Sequence, residues 1–226
     1  MWDKKIKVAI FIMLCVLAAV YLYAMTLGSI ERDVFLKEAG VVEFTTAVGY
    51  LLCALLILYE GKLQYLRKYH YFFLIIVLFG LRELDFHKQF TSMSILKSRF
   101  YLSSDVPVME KVIGLLVILL LIYIVYSIIK NHFSRFIADL KKRSIVAIGA
   151  ANAILFLVVS KVMDGLERKL KPVGVELSDR LGEYVFALEE ILELGIPYIL
   201  MLTFYAYFKL EPVNTNLSTP VESKKT

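Results

Sequence analysis

The chain has 226 residues, a formal charge of +5, 59% hydrophobic residues and a mean hydropathy of +0.69. This balance is typical of one integral membrane domain with little soluble mass on either side. The basic residues are spread over short segments rather than gathered on a soluble face, which argues against nucleic acid as a partner and favours the lipid bilayer. Cys15 and Cys53 each lie within an apolar run, where we expect packed thiols and no disulfide.

Apolar runs predict an all-α, polytopic membrane protein with six transmembrane helices. A helix that rises about 1.5 Å per residue needs roughly twenty residues to cross about 30 Å of hydrocarbon. The predicted spans are about 8–27, 41–59, 69–88, 108–129, 144–163 and 184–208, all in one transmembrane domain over 1–210. The tail, 211–226, is rich in Pro, Ser, Thr and Asn, which predicts a disordered cytoplasmic segment.

Charge distribution predicts the orientation of these spans. Six crossings put both chain ends on one side, and that side then holds fourteen of the 26 Lys and Arg residues but five of the 21 Asp and Glu residues. Because short cytoplasmic connections are rich in basic residues, we expect both ends to be inside. The predicted location is the bacterial inner membrane, with the chain crossing it several times.

The third predicted span is short of apolar residues. Only the eleven residues from Tyr71 to Leu81 are continuously apolar, so the helix must carry Arg82, Glu83, Asp85 and His87 into the membrane or against it. Ionisable groups at that depth are costly and usually face a bundle interior or a wet cavity. This stretch is therefore where we expect a functional site.

Acidic residues of three other spans are predicted at the same level as this stretch. They begin the second span, end the fifth and begin the sixth: Glu43, Asp164, Glu189, Glu190 and Glu193. With the predicted topology, all of them lie near the extracytoplasmic face. The pattern predicts one acidic cluster shared by four helices.

Residue spacing within the cluster suggests a metal site. Glu83 and His87 are four residues apart and share a helix face, and Glu190 and Glu193 are neighbours at a spacing of three. One histidine with several carboxylates suits Zn, Fe or Mn. The predicted divalent-metal ligands are Glu83, His87, Asp164, Glu190 and Glu193. The candidate catalytic base is Glu43, which would assist metal-activated water in hydrolysing a lipid or lipid-linked substrate.

The layout resembles that of the seven-helix membrane hydrolases of the alkaline ceramidase and adiponectin-receptor type. Those proteins also gather histidines and acids around zinc at one membrane face, and the resemblance here covers Glu43 and the stretch from Glu83 to His87. It implies a metal-dependent hydrolase. This chain differs in having six predicted spans, and in carrying Glu189, Glu190 and Glu193 where that group has a histidine pair.

Two other functions fit the same residues. Pro197 removes the backbone hydrogen bond to the carbonyl of Glu193, and transporters use such freed carbonyls to coordinate cations, so a cation- or proton-coupled transporter is one alternative. In the other, Arg82 and Lys161 are structural ion-pair partners of the acids, and the network only fixes helix register in a structural or assembly protein.

Overall fold

The computed structural model describes residues 2–36, 40–86, 91, 95 and 98–210, and this part of the chain is helical with no strand. The predicted ligand His87 and the tail 211–226 lie outside the described residues. The helices are α1 (Trp2–Thr26), α2 (Ser29–Leu36), α3 (Val41–Glu83), α4 (Ser98–Leu102), α5 (Val108–Lys141), α6 (Ile145–Met163), α7 (Leu166–Leu170) and α8 (Asp179–Leu210), with a 3₁₀ turn at Lys171–Val173 after α7.

Four helical segments are long and apolar enough to cross a membrane. They are Lys4–Thr26, Ser29–Glu83, Val108–Lys141 and Ile145–Met163. The described part of the chain is thus all-helical, and four of its segments have the length and composition of membrane-spanning helices, as the apolar runs predict.

Helix α3 turns back on itself. The backbone leaves the helical region at Lys62 (φ 53°, ψ −173°) and at Tyr69 (φ −129°, ψ 34°). Beyond this bend, the second arm of α3 runs antiparallel to the first. The evidence is that the rings of Tyr50, on the first arm, and Phe79, on the second, lie 5.8 Å apart. The two arms correspond to the predicted spans 41–59 and 69–88, and the bend falls in the short turn predicted between them.

Helix α8 is the centre of the bundle and packs mainly against α6, α3 and α1. Glycines allow the close approach. A Cβ on Gly49 of α3 would lie 2.9 Å from Pro197 Cγ, and one on Gly195 of α8 would lie 2.6 Å from Phe156 and 2.8 Å from Leu17. Because the bare backbone admits these side chains, α8 fits tightly against three neighbours.

The core clusters identify the two ends of the bundle. Ile6, Ile145 and Ala206 pack together, so the start of α1 and the end of α8 lie at one end, which we call the basic end. Another cluster, with Leu36, Val42 and Ala187 among its members, lies towards the opposite end, which we call the acidic end. The start of α1 and the end of α8 therefore lie on the same side of the bundle.

Several helices extend beyond the spans predicted from hydropathy. Helix α1 starts at Trp2, α8 starts at Asp179, and α5 continues to Lys141, so residues 130–141 prolong a spanning helix. The segment between the fifth and sixth predicted spans contains α7 and the 3₁₀ turn. By contrast, α3 ends at Glu83, before the end of the predicted span 69–88, and Asp85 follows with a positive φ of 48°.

Candidate functional site

The centre of the site is Glu193, a carboxylate of α8 that is 9% exposed. Arg82, near the end of α3, donates from Nη2 to Glu193 Oε2 at 2.8 Å. Lys161, near the end of α6, brings Nζ to 2.7 Å from Oε1, although the approach lacks the alignment of a hydrogen bond. One buried acid therefore joins three helices through two bases.

Two further acids border these bases. Glu83 Oε1 lies 3.8 Å from Arg82 Nη2, and the Glu83 side chain is 10% exposed. Asp164 Oδ2 lies 3.6 Å from Lys161 Nζ, but half of its side chain is exposed. Glu83 thus belongs to the buried part of the network and Asp164 to its rim.

The contacts of Gly195 locate Glu193 along the neighbouring helices. Gly195, two residues after Glu193, contacts Leu17 and Phe156, which lie about midway along α1 and α6. At about 1.5 Å per residue, Glu193 is about 3 Å from that level and Lys161 is about 8 Å from it. Charges at this depth interact strongly because the surroundings have a low dielectric constant.

Glu190 has no basic partner in the part of the chain that the structure describes. It is half-buried and is close enough to Glu193, Glu189, Glu83 and Glu43 to interact with them electrostatically. Within the described ranges its carboxylate makes no hydrogen bond or ion pair. Four acids therefore surround a carboxylate that no described base neutralises.

Tyr50 adds a second polar group to the buried region. It is 4% exposed and lies near Glu83, Arg82 and Glu193, yet its hydroxyl has no hydrogen-bond partner among the described residues. Tyr50 is buried as a whole residue, but its hydroxyl oxygen is not fully enclosed: among the described residues, the fully buried side-chain oxygen without a hydrogen-bond partner is Glu193 Oε1.

The formal charge of the site is negative. Its acids are Glu43, Glu83, Asp164, Glu189, Glu190 and Glu193, and its described bases are Arg82, Lys161 and Lys169. Among the described residues, these six carboxylates outnumber the three bases by three. Burial disfavours the ionised form of a carboxylate that has no base beside it, which applies most to Glu190.

Most of the residues singled out in the sequence meet here. Glu43, Glu83, Glu190 and Glu193 come together, Arg82 and Lys161 are ion-paired, and Asp164 reaches only Lys161. Across the described ranges, no group of three His, Cys, Asp or Glu side chains is arranged to hold a metal ion, and His87 lies outside those ranges. The metal site therefore stays a prediction.

Arg32, which sequence reasoning missed, holds the acidic end together. Its side chain is 11% exposed and pairs with Glu183 of α8. It also donates to the carbonyls of Ala24 (3.0 Å) and Leu27 (2.9 Å) at the end of α1. Arg32 stands between Glu31 and Asp33 in the sequence, and its burial depends on tertiary packing that sequence patterns do not show. The same holds for Tyr50, which lies in an apolar run.

A shallow cavity of about 370 Å³ lies beside the contacts that Arg32 makes with the end of α1, between α1, α2 and the start of α3. It is lined by Tyr23, Leu27, Glu31, Val34, Phe35 and Val41. None of the residues of the Glu193 network lines it.

No protein family, curated protein or solved structure matches this chain. Its function is therefore inferred from the geometry of its own residues.

Proposed function

We propose that this protein is a proton- or cation-coupled membrane carrier whose coupling site is the network around Glu193. One observation carries the proposal. Glu193, 9% exposed, is held between Arg82 and Lys161 from two other helices, and Glu190 lies beside it with no described basic partner. Intramembrane ionisable residues of this kind mark ion pathways and proton relays.

The arrangement supplies a means of coupling. Binding of a proton or a cation at Glu190 reduces its repulsion with Glu193 and Glu83. This changes the balance of the two ion pairs that hold α3 and α6 to α8. Occupancy of the site thereby alters how strongly the three helices are held together, which is what a carrier needs in order to change its conformation.

The backbone near Glu193 supports the same function. Pro197, inside α8, cannot donate to the carbonyl of Glu193. Carriers commonly bind coupling ions near the bilayer midplane, where interrupted helices expose carbonyl oxygens.

We further propose six crossings with both ends in the cytoplasm of a cell with an inner membrane. The two antiparallel arms of α3 count as two crossings, and α1, α5, α6 and α8 supply the other four. The basic end then faces the cytoplasm, in accord with the excess of Lys and Arg there.

Ion flux into liposomes tests the carrier. Purified full-length protein is reconstituted with an entrapped dye specific for the ion tested, and gradients of H⁺, Na⁺, K⁺ and Mg²⁺ are imposed in turn. We expect at least one gradient to drive flux, and Glu190→Gln to abolish it because the amide carries no negative charge and does not titrate. Glu176→Gln, in an exposed loop, is the matched control and should keep the flux.

Flux that persists in Glu190→Gln would contradict the assignment of Glu190. If none of the four ions crosses the membrane in protein of normal stability, the carrier is rejected. The structural alternative then predicts that neutralising Glu83 and Asp164 lowers stability and changes nothing else.

A metal-dependent hydrolase acting on a lipid or lipid-linked substrate is the second candidate. The observation that favours it is that Glu43, Glu83 and Glu190, from both arms of α3 and from α8, lie within electrostatic range of one another, although the described residues do not by themselves form a metal-binding group. Carboxylates from separate helices are usual ligands in bundle metal sites. Of the predicted ligands, Glu193 already engages two bases, so a metal would have to compete with Arg82 and Lys161.

Elemental analysis tests the hydrolase. Protein purified without chelators at near-neutral pH should contain about one divalent metal per chain, and His87→Ala should lose it because a ligand is removed. His70→Ala, which alters a histidine at the basic end, is the control and should keep the metal. Protein with no metal, or an equal metal content in all three forms, would contradict this candidate.

A further inference from the structure

Helices α3 and α5 are joined at the basic end by two histidine–tyrosine pairs. His70 Nε2 lies 2.8 Å from Tyr123 Oη, and His132 Nε2 lies 2.6 Å from Tyr71 Oη. The His132 ring also packs against Tyr69, with centroids 5.5 Å apart. We call this region, formed by residues 67–72 of α3 and 122–132 of α5, the aromatic seam.

Exposed bases border the aromatic seam on both helices. Lys68 Nζ lies 5.1 Å from the centroid of the Tyr69 ring, and Lys130 Nζ lies 5.3 Å from that of Tyr126. Arg67 is exposed beside Lys68. The cation–π contacts hold the two ammonium groups beside tyrosine rings without neutralising their charge.

The acids nearest to the seam along the chain are engaged elsewhere. Glu60 binds Lys209 at 2.7 Å, and Asp139 lies 3.3 Å from Arg135. The seam therefore keeps a positive surface made by Arg67, Lys68 and Lys130. That surface attracts an anion.

An apolar face continues from these bases along α5. Ile122 is 60% exposed, Tyr126 58% and Ile129 56%. In a membrane, such residues contact acyl chains. The seam thus has basic groups on both helices, hydrogen-bonded aromatic rings between them, and an exposed apolar face on α5 that leads up to Lys130.

We propose that the aromatic seam binds an anionic phospholipid, with its phosphodiester at Arg67, Lys68 and Lys130 and its acyl chains along α5. A phosphodiester accepts charge-assisted hydrogen bonds from these bases. Free phosphate would meet the same groups, but solvent screens exposed charges and the ion gains nothing from the apolar face. The surface therefore favours a phosphodiester carried by a lipid over free phosphate.

Lipid competition measured by native mass spectrometry tests the proposal. Full-length protein in neutral detergent is mixed with phosphatidylglycerol and phosphatidylcholine of matched chains, and retained lipids are counted. We expect preferential retention of phosphatidylglycerol. The triple variant Arg67→Gln, Lys68→Gln, Lys130→Gln should reduce that preference about 100-fold, since each base near a membrane surface contributes roughly a factor of five to affinity for anionic lipid.

Two controls keep the result interpretable. The triple variant Arg99→Gln, Lys171→Gln, Arg180→Gln removes three exposed bases elsewhere and should leave the preference unchanged. Lys68→Arg with Lys130→Arg keeps the charges and should also preserve it, which separates loss of binding from loss of folding. A parallel arm adds inorganic phosphate as competitor.

Equal retention of both lipids by the unaltered protein would overturn the proposal. So would an unchanged preference in the seam variant, or a similar loss in the control variant. Displacement of phosphatidylglycerol by millimolar inorganic phosphate would show that the seam recognises the anion alone. None of these outcomes depends on ion flux, so the lipid site and the carrier are tested separately.

Discussion

Glu193 illustrates how much a single buried charge requires of its surroundings. Moving a carboxylate out of water carries a penalty of several kcal/mol, which its attraction to nearby bases offsets only when the geometry is good. Glu193 has such geometry with Arg82 and a close approach from Lys161, whose side chains remain 39% and 40% exposed. The side chains of Arg82 and Lys161 thus remain partly exposed, while the Glu193 carboxylate that they stabilise is almost fully buried.

Arg32 leads to a prediction on stability. Arg32→Gln removes the donors to the carbonyls of Ala24 and Leu27 and the ion pair with Glu183. We expect it to lower the free energy of unfolding by about 1–3 kcal/mol, because partly buried carbonyls lose their donors. The measurement is equilibrium unfolding in mixed micelles.

Glu183→Gln is the matched comparison for Arg32. The Glu183 side chain is 43% exposed, and its substitution leaves both carbonyl contacts of Arg32 in place. We expect a loss below about 1 kcal/mol, as for exposed ion pairs. If the two variants were equally destabilised, the ion pair and not the contact with α1 would be the important interaction.

At the scale of elements, glycines determine how closely α8 approaches its neighbours. Gly49→Ala would place a methyl group 2.9 Å from the Pro197 ring, and Gly149→Ala would press one against the Thr203 side chain. We expect each to lower the free energy of unfolding by about 1–3 kcal/mol, since extra atoms in a packed core force side chains and backbone to shift. Thermal unfolding in detergent measures the effect.

Gly182→Ala is the control within α8 itself. A Cβ at Gly182 would have no neighbour within 4 Å, so nothing has to move. We expect this variant to be stabilised by up to about 1 kcal/mol, because alanine favours a helix more than glycine does. Destabilisation of Gly182→Ala to the same extent as Gly49→Ala would contradict the packing explanation, since helix propensity favours alanine and no atom obstructs a Cβ at Gly182.

Hydropathy predicted the positions of the helices better than their ends. The apolar stretch of α5 was predicted as 108–129, yet the helix runs to Lys141 because its polar residues, such as Lys130 and Arg135, form helix readily. Helix α8 begins at Asp179, where the Ser178 hydroxyl accepts from the Leu181 amide at 3.4 Å and so caps the first turn. A hydropathy window detects the part of a helix that suits lipid, whereas backbone hydrogen bonding decides where the helix stops.

For the molecule as a whole, the sequence predicted that acids of several spans would meet but not how they would pair. Shared depth follows from counting residues along each span, and Glu43, Glu83, Glu190 and Glu193 do lie near one another. Pairing depends on helix rotation and approach, which small residues such as Gly195 control. The closeness of Glu193 to the middle of α1 also follows from that packing and could not be read from hydropathy.

Cysteine accessibility tests the topology of the whole chain. Ser178→Cys, near the acidic end, and Ser134→Cys, on the extension of α5, are both exposed. In a background without Cys15 and Cys53, a membrane-impermeant maleimide added to intact cells should label Ser178→Cys. It should label Ser134→Cys only after permeabilisation, because the basic end is expected in the cytoplasm.

The reverse labelling pattern would invert the orientation while leaving the fold unchanged. Labelling of both positions in intact cells would contradict the number of crossings between them. Labelling of a cysteine placed at Ser144, next to the extension of α5 at the basic end, should follow that of Ser134→Cys.

The close contacts at Gly49, Gly149 and Gly195 limit how the helices can move relative to one another. Each admits a side chain between two backbones, so together they block α8 from sliding along its axis against α3, α6 or α1. Relative movement of these helices therefore requires sideways separation, which breaks the glycine contacts, and not sliding along the helix axes.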